Sequence, residues 1–498
     1  NLGSGAFGTV LKVRHYGTGE MRACKAVRLD QGSEQLKELV ELEVTMLKSL
    51  DHVNMLRLHE AFRDGQRCMY LITELCAGGS LAERLEAQRR TRRPMLEGQS
   101  AAYAEQILSA ASYCHQRGVL HRDLKPENVL FLTPSVDSPV KVIDFGLSDT
   151  LERLRQNATE ELQDRKGALG AVARLLPKLP GGLEILATKV TKEVMQRAGT
   201  PHYMAPEVYE GQYGEKADVW SIGVMIFEML TNRHPFYTVG NDLDAVRRRI
   251  LNPKGADFEA DIAWRQVSPA AQRACQAALR PRVVSRPTAK GLLDDNWFQT
   301  VPRLALGVRQ SSPHNGIRSA SAMDATQVIE AMRHFAFPGY IGSTRTRLRQ
   351  AFLRLLVTEL PEASLAPLRG SFLRLDKNAD GLLSASDLGI EGPSTVGFLD
   401  MLFGMGEAAE SKDEIGEEIR SLLAVSGGVA GLGFSDFVAV MMPFSLQLQE
   451  PQYRAAFQRL SEGATVLSRQ VLQDIVQAGP DVPQAELEDF QAGLPEEF

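Results

Sequence analysis

The sequence predicts an α+β protein: a β-rich opening, a larger helical continuation and an all-α end. Three observations carry that expectation. Residues 1–75 contain short alternating runs, "TVLKVRHY" and "MRACKAVRL", around a turn at Gly17–Gly19. From Leu81 to Phe298 the apolar spacing is that of helices. Far downstream, "DKNADGLLSASD" (376–387) places oxygen donors at spaced positions of a loop between partly helical flanks.

At 498 residues the chain is too long for one core. Apolar content of 44% and charged content of 24% are those of an ordinary globular protein. The longest apolar stretch, "VWSIGVMIFEML", falls short of the roughly 18 residues of a membrane span. The five cysteines all precede residue 300 without paired spacing, which argues against disulfides or a zinc site and fits a reducing, cytoplasmic setting. The chain starts inside a motif at Asn1, so a missing N-terminus with a targeting or acylation signal is expected, and membrane association through it stays open. Net charge is −6 overall, but −15 over residues 359–498, +6 over 300–358 and +3 over 1–299. A basic connector beside an acidic module permits attraction between them, or simply two solvated surfaces. No basic face interleaved with aromatics points to nucleic acid.

The β-rich opening begins with Gly3, Gly5 and Gly8, two and three residues apart, followed by Val10. Such bare backbone lets phosphates approach, and dinucleotide-binding turns share the spacing. A strand follows here rather than a helix, which disfavours the dinucleotide fold. Lys25, on the next strand, can hold two phosphate groups; Glu43, in the helix "SEQLKELVELEVTMLKSL" behind a Ser33 cap, can pair with it. Both could equally be surface charges.

Further on, "HRDLKPEN" (121–128), "DFG" (144–146), "GTPHYMAPE" (199–207), "DVWSIGV" (218–224) and Arg286 follow one another. Residues 1 to about 299 thereby resemble the eukaryotic protein kinases. The resemblance implies the bilobal fold, a small lobe over 1–75 and a large helical lobe over 76–299, with ATP and Mg²⁺ as cofactors and protein serines or threonines as substrates. It implies Asp123 as the group that orients the attacking hydroxyl and Lys125 as the neutraliser of the transferred phosphoryl group. Asn128 and Asp144 become Mg²⁺ ligands, and Lys25, oriented by Glu43, holds the α- and β-phosphates. Glu74 to Cys76 becomes the hinge meeting adenine, flanked by Thr73. Glu207 with Arg286, and Asp218, become structural supports, and Arg122 a site for an anionic activation segment.

Two departures stand out. Sixty-two residues separate Asp144 from Glu207, so the activation segment carries an insert at about 150–187, either a regulatory element or a surface loop. Ser80 stands where arginine-directed relatives often carry Glu, which weakens, with Glu127 retained, a preference for basic substrates.

In 376–387 the donors are Asp376, Asn378, Asp380, the Leu382 carbonyl, Ser384 and Asp387, with Gly381 at the sharp turn. This is the EF-hand pattern for Ca²⁺, with the shorter Asp in place of Glu at its last position. "VSGGVAGLGFSD" keeps only Asp436 among the expected acids, so a packing role through Leu432 and Leu383 is expected there. "LSEGATVLSRQV" is shortened and also lacks ligands, which leaves one competent and two degenerate loops over 359–498.

A kinase body, a basic junction over 300–358 and an EF-hand module resemble the calcium-dependent protein kinases of plants and protists. That resemblance implies a junction that occludes the kinase until the calcium-loaded module captures it. Leu348, Phe352 and Leu355 share one helical face, with Arg347, Arg349 and Arg354 around it, which suits capture by an acidic groove. The alternatives are a calcium-binding scaffold on a kinase fold, or a constitutive kinase with a vestigial sensor.

Overall fold

The computed structural model describes residues 2–5, 8–16, 18–29, 40–41, 44–45, 47–48, 50–65, 67–144, 149–150, 201–236, 242–258, 261–300, 327–329, 331–332, 353–354, 356–358, 360–388 and 431–445. The expectations for Ser33, Glu43, the activation-segment insert beyond Thr150, Leu348, Phe352, Leu355 and the third EF-like segment lie outside these residues.

The opening folds as an antiparallel sheet of β1 (Gly3–Gly5), β2 (Gly8–Arg14), β3 (Met21–Arg28), β4 (Leu58–Asp64) and β5 (Cys68–Glu74), in the order β1-β2-β3-β5-β4. In β3 Arg22, Ala23, Cys24 and Val27 are buried, so both faces of this central strand are covered near its start. The described residues between 40 and 48 are helical, and Val40, Val44 and Leu47, at helical spacing, are buried.

The helical continuation starts with α1 (Leu81–Thr91) and α2 (Glu97–Gln116). Ser80 caps α1: its side chain accepts from the Glu83 N–H, and the Glu83 carboxylate accepts from the Ser80 N–H. Two short antiparallel strand pairs follow, β6 (Val119–Leu120) with β9 (Asp149–Thr150) and β7 (Val129–Phe131) with β8 (Val140–Val142). Then come α3 (Pro206–Tyr209), α4 (Glu215–Thr231), α5 (Leu243–Ile250), α6 (Pro269–Ala278), α7 (Ala289–Leu293) and α8 (Asn296–Thr300). Helix α4 carries "VWSIGVMIFEML" and is buried along almost its whole length, the fate of a helix apolar all round. It crosses α6 so closely that a Cβ on Gly223 would stand 2.7 Å from that of Ala278. Among the described residues no helix is long and apolar enough to cross a membrane.

The all-α end contributes α9 (Glu362–Leu375) and α10 (Phe434–Ser445). Phe372 meets Phe434 and Phe437 edge-on, and Leu383 and Leu432 exchange both backbone hydrogen bonds, at 2.9 and 3.0 Å. Val328, Met332, Leu356, Val357 and Leu360 join this second core, and the Arg354 guanidinium donates to Asp436 at 2.5 Å. The two bodies exchange one residue each: Leu382 is buried in the core of the first and Val53 in the core of the second.

Candidate active site and calcium loop

The β1–β2 hairpin sets Gly3 opposite Val10 and Gly5 opposite Gly8. At Gly8 no side chain fits, because a Cβ would stand 2.1 Å from the Ala26 carbonyl oxygen; at Gly3 the space is open. Lys25 lies on β3, opposite Val10 on one side and Leu71 on the other, so it shares the sheet with the glycine-rich hairpin. Thr73 and Glu74 end β5, with Cys76 just beyond it. The Glu74 side chain is spent elsewhere: it is buried 2.7 Å from the Lys141 ammonium and accepts the Arg57 N–H at 2.8 Å. Burial pushes its carboxyl up, but Lys141 and Arg57 outweigh that and hold it below the ordinary value. What Glu74 can offer a nucleotide is therefore backbone. Sequence reasoning missed Lys141, although a lysine inside the apolar strand "VKV" is a signal of a buried partner.

The segment after β6 is held from below by Asp218, at the start of α4. Its carboxylate accepts the His121 N–H (3.0 Å), the Arg122 N–H (3.0 Å), the Tyr213 hydroxyl (2.9 Å) and a His115 ring nitrogen (2.8 Å). Burial acts to raise its pKa, yet these partners keep it lowered and anionic. They also retain Arg122 at φ +69°, a conformation that a non-glycine residue adopts only when its surroundings impose it. The His121 ring accepts the Asp123 N–H on Nδ1 (3.3 Å) and donates from Nε2 to the Ile143 carbonyl (3.0 Å). The Ile143 N–H in turn bonds the Asn128 carbonyl at 3.0 Å.

Asp123, Lys125, Asn128 and the backbone leading into Asp144 are thus one construction. The Lys125 ammonium stands 2.5 Å from Asp123 Oδ2, and Asn128 Nδ2 donates to the Asp123 carbonyl (2.8 Å) and to Oδ2 (3.2 Å). With its amide nitrogen so engaged, Asn128 presents its oxygen as the free donor type. Asp144 is at φ +68°. A carboxylate and an amide oxygen on adjoining segments are the hard donors that Mg²⁺ takes, so the residues fit that ion.

Farther out, Glu207 and Arg286 form a buried bidentate pair, at 2.6 and 3.0 Å. A group that sequence reasoning missed is Glu228 on α4. It is buried, accepts from Tyr203 (2.8 Å) and Arg89 (2.9 Å), and burial pushes its carboxyl up to about 7, with Glu127 adding to the rise.

In 376–387, Gly381 takes φ +80°, and a Cβ there would stand 1.9 Å from the His52 ring, so glycine is required twice over. Asp376 accepts the N–H groups of Asp380 (3.2 Å) and Gly381 (2.9 Å), Asn378 that of Asp380 (3.0 Å), and Asp380 that of Leu382 (3.0 Å). Asp387 closes the loop by accepting from Lys377 (3.1 Å) and Ser384 (2.9 Å). Burial, and then repulsion from Asp380, pushes the Asp376 carboxyl up to about 7. Among the described residues no three His, Cys, Asp or Glu side chains form a gathered metal cage. The carboxylates here are turned onto the loop's own N–H groups. Their donor set, three carboxylates with an amide, a hydroxyl and a carbonyl, fits Ca²⁺, whose geometry is flexible.

A family model described as the protein kinase domain matches residues 1–169 and 184–298, more than half of the chain. "Calcium-dependent protein kinase 25" of Arabidopsis thaliana is 29% identical over 389 residues, 78% of this chain and 62% of its own length. "Calcium-dependent protein kinase 5" of Plasmodium falciparum is 26% identical over 389 residues, 78% of this chain and 56% of its own length. The corresponding protein of Plasmodium berghei is 25% identical over 388 residues, covering 78% and 57%. The chain spans about three-fifths of the length of these relatives.

Proposed function

Because the chain belongs to the protein kinase family, with calcium-dependent protein kinases as its relatives, we propose that it phosphorylates protein serines and threonines with ATP, under control of Ca²⁺ at residues 376–387. The observation that carries the reading is the joined construction of Asp123, Lys125, Asn128 and the backbone into Asp144. Asp123 accepts the proton of the attacking hydroxyl while its oxygen is oriented on the γ-phosphorus. Lys125, beside it, balances negative charge on the transferred group as the bond to ADP breaks. Gly3, Gly5, Gly8 and Lys25 hold the phosphates, and the backbone from Glu74 to Cys76 takes the adenine. Asn128 and Asp144 would hold Mg²⁺, which would supply neutralisation of the phosphates' charge. Glu127 favours a basic peptide, a preference weakened by Ser80.

For calcium control, support comes from the folded loop and from its position against His52. The packing of Val328, Met332, Leu356 and Val357 in the second core supports a junction gripped by the module. The test is phosphate transfer from Mg·ATP to a basic serine peptide, with and without Ca²⁺. Asp144→Asn should abolish transfer while ATP binding persists, and Asp376→Ala should remove the calcium response. No transfer by the wild-type chain would favour the scaffold reading, and transfer at the wild-type rate by Asp144→Asn would remove the role given to Asp144; equal activity in calcium and chelator would mark the sensor as vestigial.

A further inference from the structure

Residues 51–60 run between the two bodies and bond to both. Asp51 accepts from the Ser435 N–H (2.8 Å) and hydroxyl (2.7 Å) at the start of α10. The His59 ring bonds the Thr358 carbonyl at 2.5 Å. Arg57 sends its guanidinium to the carbonyls of Val357 (3.2 Å) and Leu360 (3.5 Å). The Val357 carbonyl belongs to the helical residues 356–358 and also accepts the Leu360 N–H at 3.2 Å. On its other side the same Arg57 bonds to Glu74, at the start of the hinge. Its N–H donates to Glu74 Oε1 at 2.8 Å, and its carbonyl accepts the Glu74 N–H at 3.1 Å. Glu74 Oε1 also holds the Lys141 ammonium, which reaches the Met55 carbonyl at 3.2 Å, and Lys141 lies three residues before Asp144.

We propose that Arg57 is a positioning residue that couples docking of the C-terminal module to the nucleotide-binding hinge. With the module docked, two carbonyls fix the guanidinium, and Glu74 stays on Lys141. With the module released, the guanidinium loses both acceptors. The nearest buried carboxylate is then Glu74, and a forked guanidinium competes well with an ammonium for it. That exchange moves the strand end from which Glu74 to Cys76 meets the nucleotide. The calcium loop is tied to docking because Gly381 abuts the His52 ring and Leu382 is buried in the first core. By reciprocity, nucleotide then shifts calcium affinity by the same factor that calcium shifts nucleotide affinity.

The inference rests on the kinase reading above, and its main test is an equilibrium binding measurement, with steady-state kinetics beside it. Calorimetry gives the affinity of the full chain for a non-hydrolysable Mg·ATP analogue, in calcium and in chelator, for wild type, Arg57→Ala and Arg57→Lys. Wild type should show a calcium-to-chelator ratio well away from one, within the roughly 5- to 150-fold range of allosteric coupling. Arg57→Ala should bring the ratio to about one while calcium still binds the loop. Arg57→Lys keeps the stem and charge without the fork, and should retain only part of the ratio, with KM for ATP moving more than kcat. An unchanged ratio in both variants, or a wild-type ratio of one, overturns the proposal. Failure of wild type to bind nucleotide or phosphorylate peptide would instead overturn the kinase reading.

Discussion

Removing either member of the Glu207–Arg286 pair should destabilise the catalytic body more than any surface change. Arg286 is fully buried, with two bonds to the carboxylate, further bonds to the carbonyls of Lys216 (2.7 Å) and Arg280 (3.1 Å), and the Trp220 ring 5.0 Å from its charge centre. Glu207→Leu leaves that cation without a counter-charge, which costs about 3–5 kcal/mol at buried pairs. Each kcal/mol lowers the melting temperature by about 2–4 °C for domains of 150–250 residues; this larger body lies near the lower figure, which gives a fall of roughly 6–10 °C. Arg286→Met should cost a similar amount, since it strands the carboxylate and the carbonyls of Lys216, Arg280 and Pro281. The double variant should lose less than the sum, by a coupling of about 2–3 kcal/mol. Scanning calorimetry of the four proteins reads all of this. Single variants melting within about 2 °C of wild type, or a strictly additive double variant, would refute the claim that the pair acts as one buried unit.

Gly8→Ala should weaken nucleotide binding by about tenfold, since relieving its contact with the Ala26 carbonyl costs on the order of 1–3 kcal/mol of strand distortion; Gly3→Ala, facing open space, should change it less than about twofold. Isothermal titration with the ATP analogue compares them. His52 is buried, accepts the Asn54 N–H on Nδ1 and pairs Nε2 with Ser109, and burial followed by Lys141 and Arg117 lowers its pKa to about 3. Between its ordinary 6.5 and 3 the unfolded chain takes a proton that the native one refuses, so its contribution is intact above 6.5 and is lost as pH falls. About 1.4 kcal/mol should vanish between pH 7.5 and 5.5, and His52→Gln should reduce that part of the acid sensitivity in melting curves.

The residues nearest the chemistry were legible because their spacing is dictated locally. Asp123, Lys125 and Asn128 sit within one turn-rich segment, and Asp376 to Asp387 within one loop, so a short string displays them. The part of Ser80 was hidden for the opposite reason: its position suggests only a carboxylate missing from a substrate site, whereas its hydroxyl caps a helix with Glu83. Lys141, Arg57 and Glu228 escaped notice because each acts through a partner distant in sequence. Arg57 and the Val357 carbonyl are 300 positions apart, and no periodicity or propensity links such positions. The same limit concealed the side chain of Leu382. The loop pattern assigns that residue a backbone carbonyl, and nothing in it says where the leucine packs.

That leucine and Val53 give the two bodies a shared fate. A chain divided at the connector would leave each half with an aliphatic vacancy and a strip of uncovered apolar surface, so each would be prone to self-association. Substitutions that enlarge or shrink residue 53 would be tolerated by the catalytic body's own packing but penalised by its neighbour's, and the reverse holds at 382. Over evolutionary time the pair should therefore drift together, each half acting as a filter on the mutations the other can accept.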